Sequence, residues 1–207
     1  TVLALVAVGL WSTVATAFKL SLRYLDPFQL VAYATLFATL ILLAGVSING
    51  RYNELWTTFR KWPRLFMLLG LLNPCMYYLV LFQAYDLLPA QQAQSINYTW
   101  AITLSLLSVP LLGHRLKILE IAAVLVSYIG VWVISTRGDV FSLKFENPLG
   151  VALALGSTVI WALYWIANTK DQRDPVLGLF LNFLCSLPLI GFYLMVTEGF
   201  RRVEWTG

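Results

Sequence analysis

Long apolar runs recur along this chain, separated by short polar connections. Seven are long enough to cross a bilayer as helices: 2–21, 27–48, 65–86, 92–112, 118–136, 149–168 and 175–197. Each is close to the roughly 20 residues that a spanning helix needs. No ten-residue alternation of apolar and polar positions recurs, so the pattern predicts helices and not a barrel. Asp26-Pro27 and Asp174-Pro175 open the second and seventh runs, placing a carboxylate at the helix cap and proline in the first turn. The polar loop NGRYNELWTTFRKWPR (49–64) mixes Trp56, Phe59 and Trp62 with arginine and lysine. That mixture predicts a short helix lying in the membrane interface.

Polar positions inside the runs are few and fall at helical spacing. Gln94, Asn97, Ala101, Ser105 and Ser108 form one small-and-polar stripe down the fourth run. The third carries Asn73, Tyr77 and Ala84, with Pro74 able to kink it; the first carries Ser12, Thr16, Lys19 and Arg23; the sixth carries Thr158, Trp161, Trp165 and Asn168. A polar amide at bilayer depth is costly without a partner, so these stripes are expected to meet one another or to line a wet cavity. Two uses stay open. Small and hydroxyl residues join helices, the default for Ser12, Thr16, Ser105 and Ser108, whereas Asn97 beside Tyr98 and Trp100 makes a recognition surface as readily as a clasp. Trp11, Trp161, Tyr164 and Trp165 serve either as packing and interfacial residues or as walls for an apolar or aromatic substrate. Lys19, near the end of its run, is expected to reach toward the headgroups.

Composition settles the class. Of 207 residues, 59% are hydrophobic and 12% charged, against roughly 45–50% and about 25% in soluble domains, and the mean hydropathy is +0.76. This is an all-α polytopic membrane protein, with the bilayer as its surroundings. The net charge of +4 is scattered between apolar runs and forms no patch for nucleic acid. Cys75 and Cys185 lie far apart in apolar runs and suit neither a disulfide framework nor a zinc site. His114 sits in a short turn and Asp86 stands alone near the end of its run, so neither a Ser–His dyad nor a carboxylate dyad forms at depth. No Gly-rich phosphate loop or metal-spaced cluster occurs. An enzyme, a cofactor and a metal are therefore not expected.

Loop charges give an orientation. Arg51, Arg60, Lys61, Arg64, Arg115, Lys117, Lys170 and Arg173 fall on one side; Lys19, Arg23, Arg137, Lys144, Arg201 and Arg202 fall on the other. The excess favours a cytoplasmic N-terminus, in the cell (inner) membrane. The chain starts without Met, directly in the apolar run TVLALVAVGLW, and no basic segment precedes that run as in a signal peptide. Residue 1 is read as lying in or just before the first span, and the sequence as a fragment.

An internal repeat is visible. TVLALVAVGLW (1–11) aligns without gaps on VALALGSTVIW (151–161), matching Leu3/Leu153, Ala4/Ala154, Leu5/Leu155 and Trp11/Trp161, and each copy is followed by an Asp-Pro. Five spans separate the copies, so they point in opposite directions. Inverted repeats are a transporter signature, with the substrate site where they meet.

These blocks also carry a family likeness. GLWSTVATAFKL with DPFQLVAYATLFATLILL resembles the opening of the EamA domain in the drug/metabolite transporter superfamily. AYDLLPAQQAQSINYTWAITLSLLSVPLLGHRLKILEIAAVLVSYIGVWVIST resembles the rest of that domain, and NPLGVALALGSTVIWALYWIANTK the opening of a second copy. The likeness covers essentially the whole chain, and LWST and NYTW are similar to the aromatic amino acid exporter branch. It implies a carrier of ten helices in two inverted five-helix repeats around a central cavity: 1–136 as the first repeat, 137–148 as the connecting loop, and 149–207 as the truncated start of the second. By position, Trp11, Tyr77, Asn97, Trp100 and Trp161 are the expected substrate-binding residues. The chain departs from the family pattern at Ala34, at Thr99-Trp100-Ala101 and at Gly113-His114-Arg115, which leaves the substrate open. The expected function is secondary transport of a small metabolite by alternating access. The alternative is a non-transporting membrane interaction protein whose polar stripes only pack helices.

Overall fold

The computed structural model describes residues 2–136, 138, 141, 147–169 and 173–196. Arg137, Lys144, Lys170, Arg201 and Arg202, five of the loop charges used for orientation, lie outside the described residues, as does most of the 137–148 connection. In chain order the helices are α1 Val2–Ser21, α2 Pro27–Ile48, α3 Tyr52–Lys61, α4 Pro63–Gly70, α5 Tyr77–Leu87, α6 Ala90–Asn97, α7 Trp100–Leu112, α8 Ile118–Ser135, α9 Pro148–Thr169 and α10 Pro175–Val196. No strand occurs among the described residues. α4 and α5 run together as one span, Pro63–Leu87, and α6 and α7 as another, Ala90–Leu112. With α1, α2, α9 and α10 these make six helices long and apolar enough to cross a bilayer among the described residues. The 18-residue α8 sits at the short end of the spanning range of about 17–25 residues.

Burial confirms the solvent. Phe37, Ile41, Ile48, Val126 and Ile129 point outward, while Thr35, Thr39, Ser157, Thr158, Asn182 and Ser186 are buried. Lipid tails accept apolar side chains as readily as a core does, so polar groups have the stronger reason to turn inward. This is an integral, all-α polytopic membrane protein.

Helix starts follow the sequence signals. The Asp26 carboxylate accepts from Phe28 N at 2.8 Å and Gln29 N at 2.9 Å, and Gln29 Oε1 accepts from Asp26 N in return. Asp174 caps α10 in the same way through Val176 N and Leu177 N, both at 3.0 Å. These bonds satisfy backbone donors that a helix leaves without partners. A short helix forms at α3 as expected, with no buried residue and Arg60 and Lys61 in its last turn.

The α4–α5 span breaks in the segment Leu71–Met76, where Asn73 leaves helical geometry at φ −142°, ψ 117°. Proline restricts the residue before it to extended conformations, and Pro74 follows Asn73. Beyond the break, α5 is the central element. Tyr77, Leu81, Ala84 and Tyr85 pack with Ala15 of α1, Ala93 and Ile96 of α6, and Val151 and Ala154 of α9. Phe82 turns the other way, toward Leu30 and Val31 of α2 and Ile190 and Leu194 of α10. α4 approaches α10 so closely that a Cβ on Gly70 would sit 2.4 Å from the Asn182 carbonyl oxygen.

Lys19 does not extend toward headgroups. Its ammonium donates to the carbonyls of Tyr85 at 2.6 Å, Asp86 at 3.1 Å and Leu88 at 3.1 Å. A cation with three donors fits the unsatisfied carbonyls and negative dipole end where α5 finishes.

Candidate functional site

Trp161, halfway along α9, organises an aromatic cluster. Tyr77 stacks on it at 4.4 Å between ring centroids, Tyr164 lies 5.6 Å away, and Trp100 and Trp165 meet it edge-on at 6.4 and 6.2 Å. Trp100 and Trp165 stack on each other at 6.2 Å. Offset and edge-on arrangements like these are the favourable ones for ring quadrupoles.

Asn97 sits beside this cluster and ties three helices together. Tyr77 Oη of α5 donates to Asn97 Oδ1 at 3.3 Å, and Asn97 Nδ2 donates to Ser157 Oγ of α9 at 3.0 Å. The Ser157 hydroxyl in turn donates a hydrogen bond to the Ala154 carbonyl at 2.7 Å. One turn on, the hydroxyls of Thr103 and Thr158 bond at 2.9 Å. The amide that looked costly at bilayer depth is thus satisfied by protein. One of its two N–H donors makes the Ser157 bond, leaving the second available.

The expected stripe down the fourth span does not hold as one line. Between α6 and α7 the backbone tightens to three-residue bonds, Thr99 N to Ile96 O at 3.1 Å and Ile102 N to Thr99 O at 2.9 Å. Residues three apart eclipse in such a turn, so Asn97, Trp100 and Thr103 share the face toward α9. Ala101, Ser105 and Ser108 are turned instead to a cleft shared with Ala123 and Ser127 of α8. Gln94 stays near Asn97 and donates to the Tyr98 hydroxyl at 2.6 Å.

All five residues singled out from the sequence line one cavity of about 220 Å³, bounded by α1, α5, α6, α7 and α9. Tyr77 touches both Asn97 and Trp161, and Trp161 touches Trp100; Trp11 also lines the cavity and is 68% exposed. Phe18, Tyr78, Tyr85, Gln94, Tyr98 and Trp165 complete much of the wall, and no charged side chain is among the lining residues described. Ser157 was missed in the sequence. It lies four residues before Trp161, on the same helix face, and that spacing was the available signal.

A second cavity of about 430 Å³ shares Trp11, Trp161 and Trp165 with the first and runs toward the start of α10, where Asp174 and Arg173 line it. Asn73 at the helix break also lines it, and its Oδ1 is buried without a hydrogen-bond partner. At the outer end Asp174 meets Arg51 at 3.1 Å, while Arg51 also holds Glu54 at 2.6 Å. The Leu177 backbone N–H, and then the Arg51 side chain, hold the Asp174 carboxyl below the usual carboxylate range. Glu54 and Asp174 push Arg51 the other way, upward.

Stacking faces, amides and hydroxyls thus surround an internal cavity within a bundle of membrane-spanning helices. The EamA-like transporter family model matches residues 1–136, and the chain belongs to that family. Among curated proteins it is 29% identical over 177 residues to the aromatic amino acid exporter YddG of Ancylobacter novellus, covering 84% of this chain and 60% of that protein. It is 26% identical over 193 residues to the uncharacterized transporter YvbV of Bacillus subtilis, covering 91% of this chain and again 60% of the relative. The chain thus spans about three fifths of the length of either relative. No solved structure matches it. The family and the two relatives are described as transporters or exporters.

Proposed function

We propose that the chain belongs to a secondary carrier that moves a small metabolite by alternating access, with an aromatic amino acid as the leading substrate class. One observation carries this: the aromatic cavity forms where α5, α6 and α7 of the 1–136 segment meet α9 of the segment beginning at 149. On this proposal 1–136 and 149–207 belong to two inverted five-helix repeats joined by 137–148, and the substrate site lies between them. Trp11, Tyr77, Trp100 and Trp161 supply apolar walls, and the remaining Asn97 N–H faces the substrate. The aromatic class is supported by the ring-lined walls and by the name of the Ancylobacter relative. We place the carrier in the cell (inner) membrane with its N-terminus in the cytoplasm.

The second reading, a membrane protein that does not transport, is favoured by one observation. The Tyr77–Asn97–Ser157 and Thr103–Thr158 bonds employ interior polar groups in joining helices. Flux separates the two. The full-length protein in liposomes should show saturable uptake of an aromatic amino acid, and Trp161→Ala should abolish it while Trp161→Phe retains part. Absence of saturable flux with amino acids and a wider metabolite panel would favour the second reading.

A further inference from the structure

Away from the central cavity, an apolar cleft of about 450 Å³ opens between the short helix α3 and α10. Leu55, Trp56 and Phe59 form one wall, and Leu181, Leu184 and Pro188 the other. The walls offer almost nothing to hydrogen-bond. Even the hydroxyl of Tyr52, at the end of the cleft, is turned to Ser47 Oγ. Such a cleft accepts a hydrocarbon chain and gives a polar metabolite no hold.

Its rim is basic. The Arg60 guanidinium lies 4.7 Å over the ring of Trp56, a wall residue, so a cation stands at the mouth. Lys61 and Arg64 follow directly, and all three are exposed. The carboxylate of the same helix, Glu54, is engaged by Arg51 at 2.6 Å. An apolar slot beside cations that no described carboxylate pairs, at a short amphipathic helix, matches an amphiphile with a hydrocarbon tail and a negative head.

We propose that this cleft is a binding site for an anionic phospholipid, with one acyl chain between α3 and α10 and the headgroup phosphate at Arg60, drawn also by Lys61 and Arg64. The site is separate from the aromatic cavity, and the proposal does not depend on what the protein transports. A lipid held there would fasten α3 to α10, the helix whose first turn also reaches the α2–α3 loop through the Asp174–Arg51 pair.

The test uses full-length protein reconstituted in phosphatidylcholine vesicles containing phosphatidylglycerol, extracted in mild detergent and examined by native mass spectrometry. Phosphatidylglycerol should be retained several-fold above its share of the vesicle lipid. The triple variant Arg60→Gln, Lys61→Gln, Arg64→Gln should bring that enrichment close to one, and Leu184→Trp, which fills the cleft, should remove the bound lipid. As a check independent of folding, Cys185, which lines the cleft, can be alkylated in the folded protein with a dodecyl maleimide. The attached chain should displace phosphatidylglycerol. Equal retention of both lipids by the unaltered protein would overturn the proposal. So would enrichment that survives the triple variant or the Cys185 alkylation.

Discussion

Asn97 Nδ2 donates to Ser157 Oγ at 3.0 Å, joining the end of α6 to the middle of α9 across the wall of the aromatic cavity. The same amide accepts from Tyr77. Asn97→Leu removes both bonds and the spare N–H at nearly constant volume. It should lower stability by about 0.6–1.7 kcal/mol, from the average to the largest value measured for hydrogen bonds between spanning helices. If the spare N–H serves substrate, apparent affinity should also fall by about 1–3 kcal/mol. Tyr77→Phe removes only the bond to Oδ1 and should reduce stability while sparing affinity. Melting curves and uptake kinetics on both variants check this; equal affinity loss in the two would detach Asn97 from substrate binding.

Gly70 is a packing requirement. Its missing side chain lets α4 rest against the backbone of α10, where a Cβ would meet the Asn182 carbonyl oxygen at 2.4 Å. Backbone cannot move aside as a flexible side chain can, so Gly70→Ala should destabilise by about 1–3 kcal/mol, the usual scale for overpacking. Gly45→Ala, where nothing lies within 4 Å of the new carbon, is the control and should leave the melting temperature almost unchanged.

The Asp174–Arg51 tie sets a pH dependence. The native carboxyl titrates below its ordinary value of 3.8, so its stabilising contribution is fully present above that pH. It fades as the pH falls below 3.8 through the lowered native value. Between pH 5 and pH 8 this group should add no slope to the melting temperature. Below pH 4 the unaltered protein should lose stability faster than Asp174→Asn, which keeps a capping side chain but has no charge to lose. Raised salt should narrow the difference, because Arg51 and Asp174 are both partly exposed.

Orientation is checked by labelling. Single cysteines introduced as Asn53→Cys and Asp86→Cys, with Cys75 and Cys185 replaced by alanine, stand at opposite ends of the span Pro63–Leu87. On intact cells an impermeant thiol reagent should modify only the cysteine at 86. Modification at 53 alone would reverse the proposed topology.

Much of this protein was legible in the chain because a bilayer imposes simple rules. Any spanning segment must be apolar for about 20 residues and satisfy its own backbone, so the membrane itself and the rough positions of the apolar segments could be read from hydropathy, though not the breaks within the third and fourth or the shortness of α8. Asp26-Pro27 and Asp174-Pro175 announced two helix starts, since a cap acts within three residues of its own position. The aromatic residues at 11, 77, 100 and 161 could be singled out one by one. What the sequence could not show is which faces meet. The three-residue turn at Tyr98–Thr99 rotates Trp100 and Thr103 toward α9 and sends Ala101 and Ser105 to α8, although uniform helical spacing put Ala101 and Ser105 in line with Asn97. Lys19 ends at the carbonyls of α5, and Ser157 becomes the partner of Asn97, because tertiary packing brings helices distant in sequence within reach. Hydrogen bonds act over about 3 Å, a distance that only the packed bundle defines.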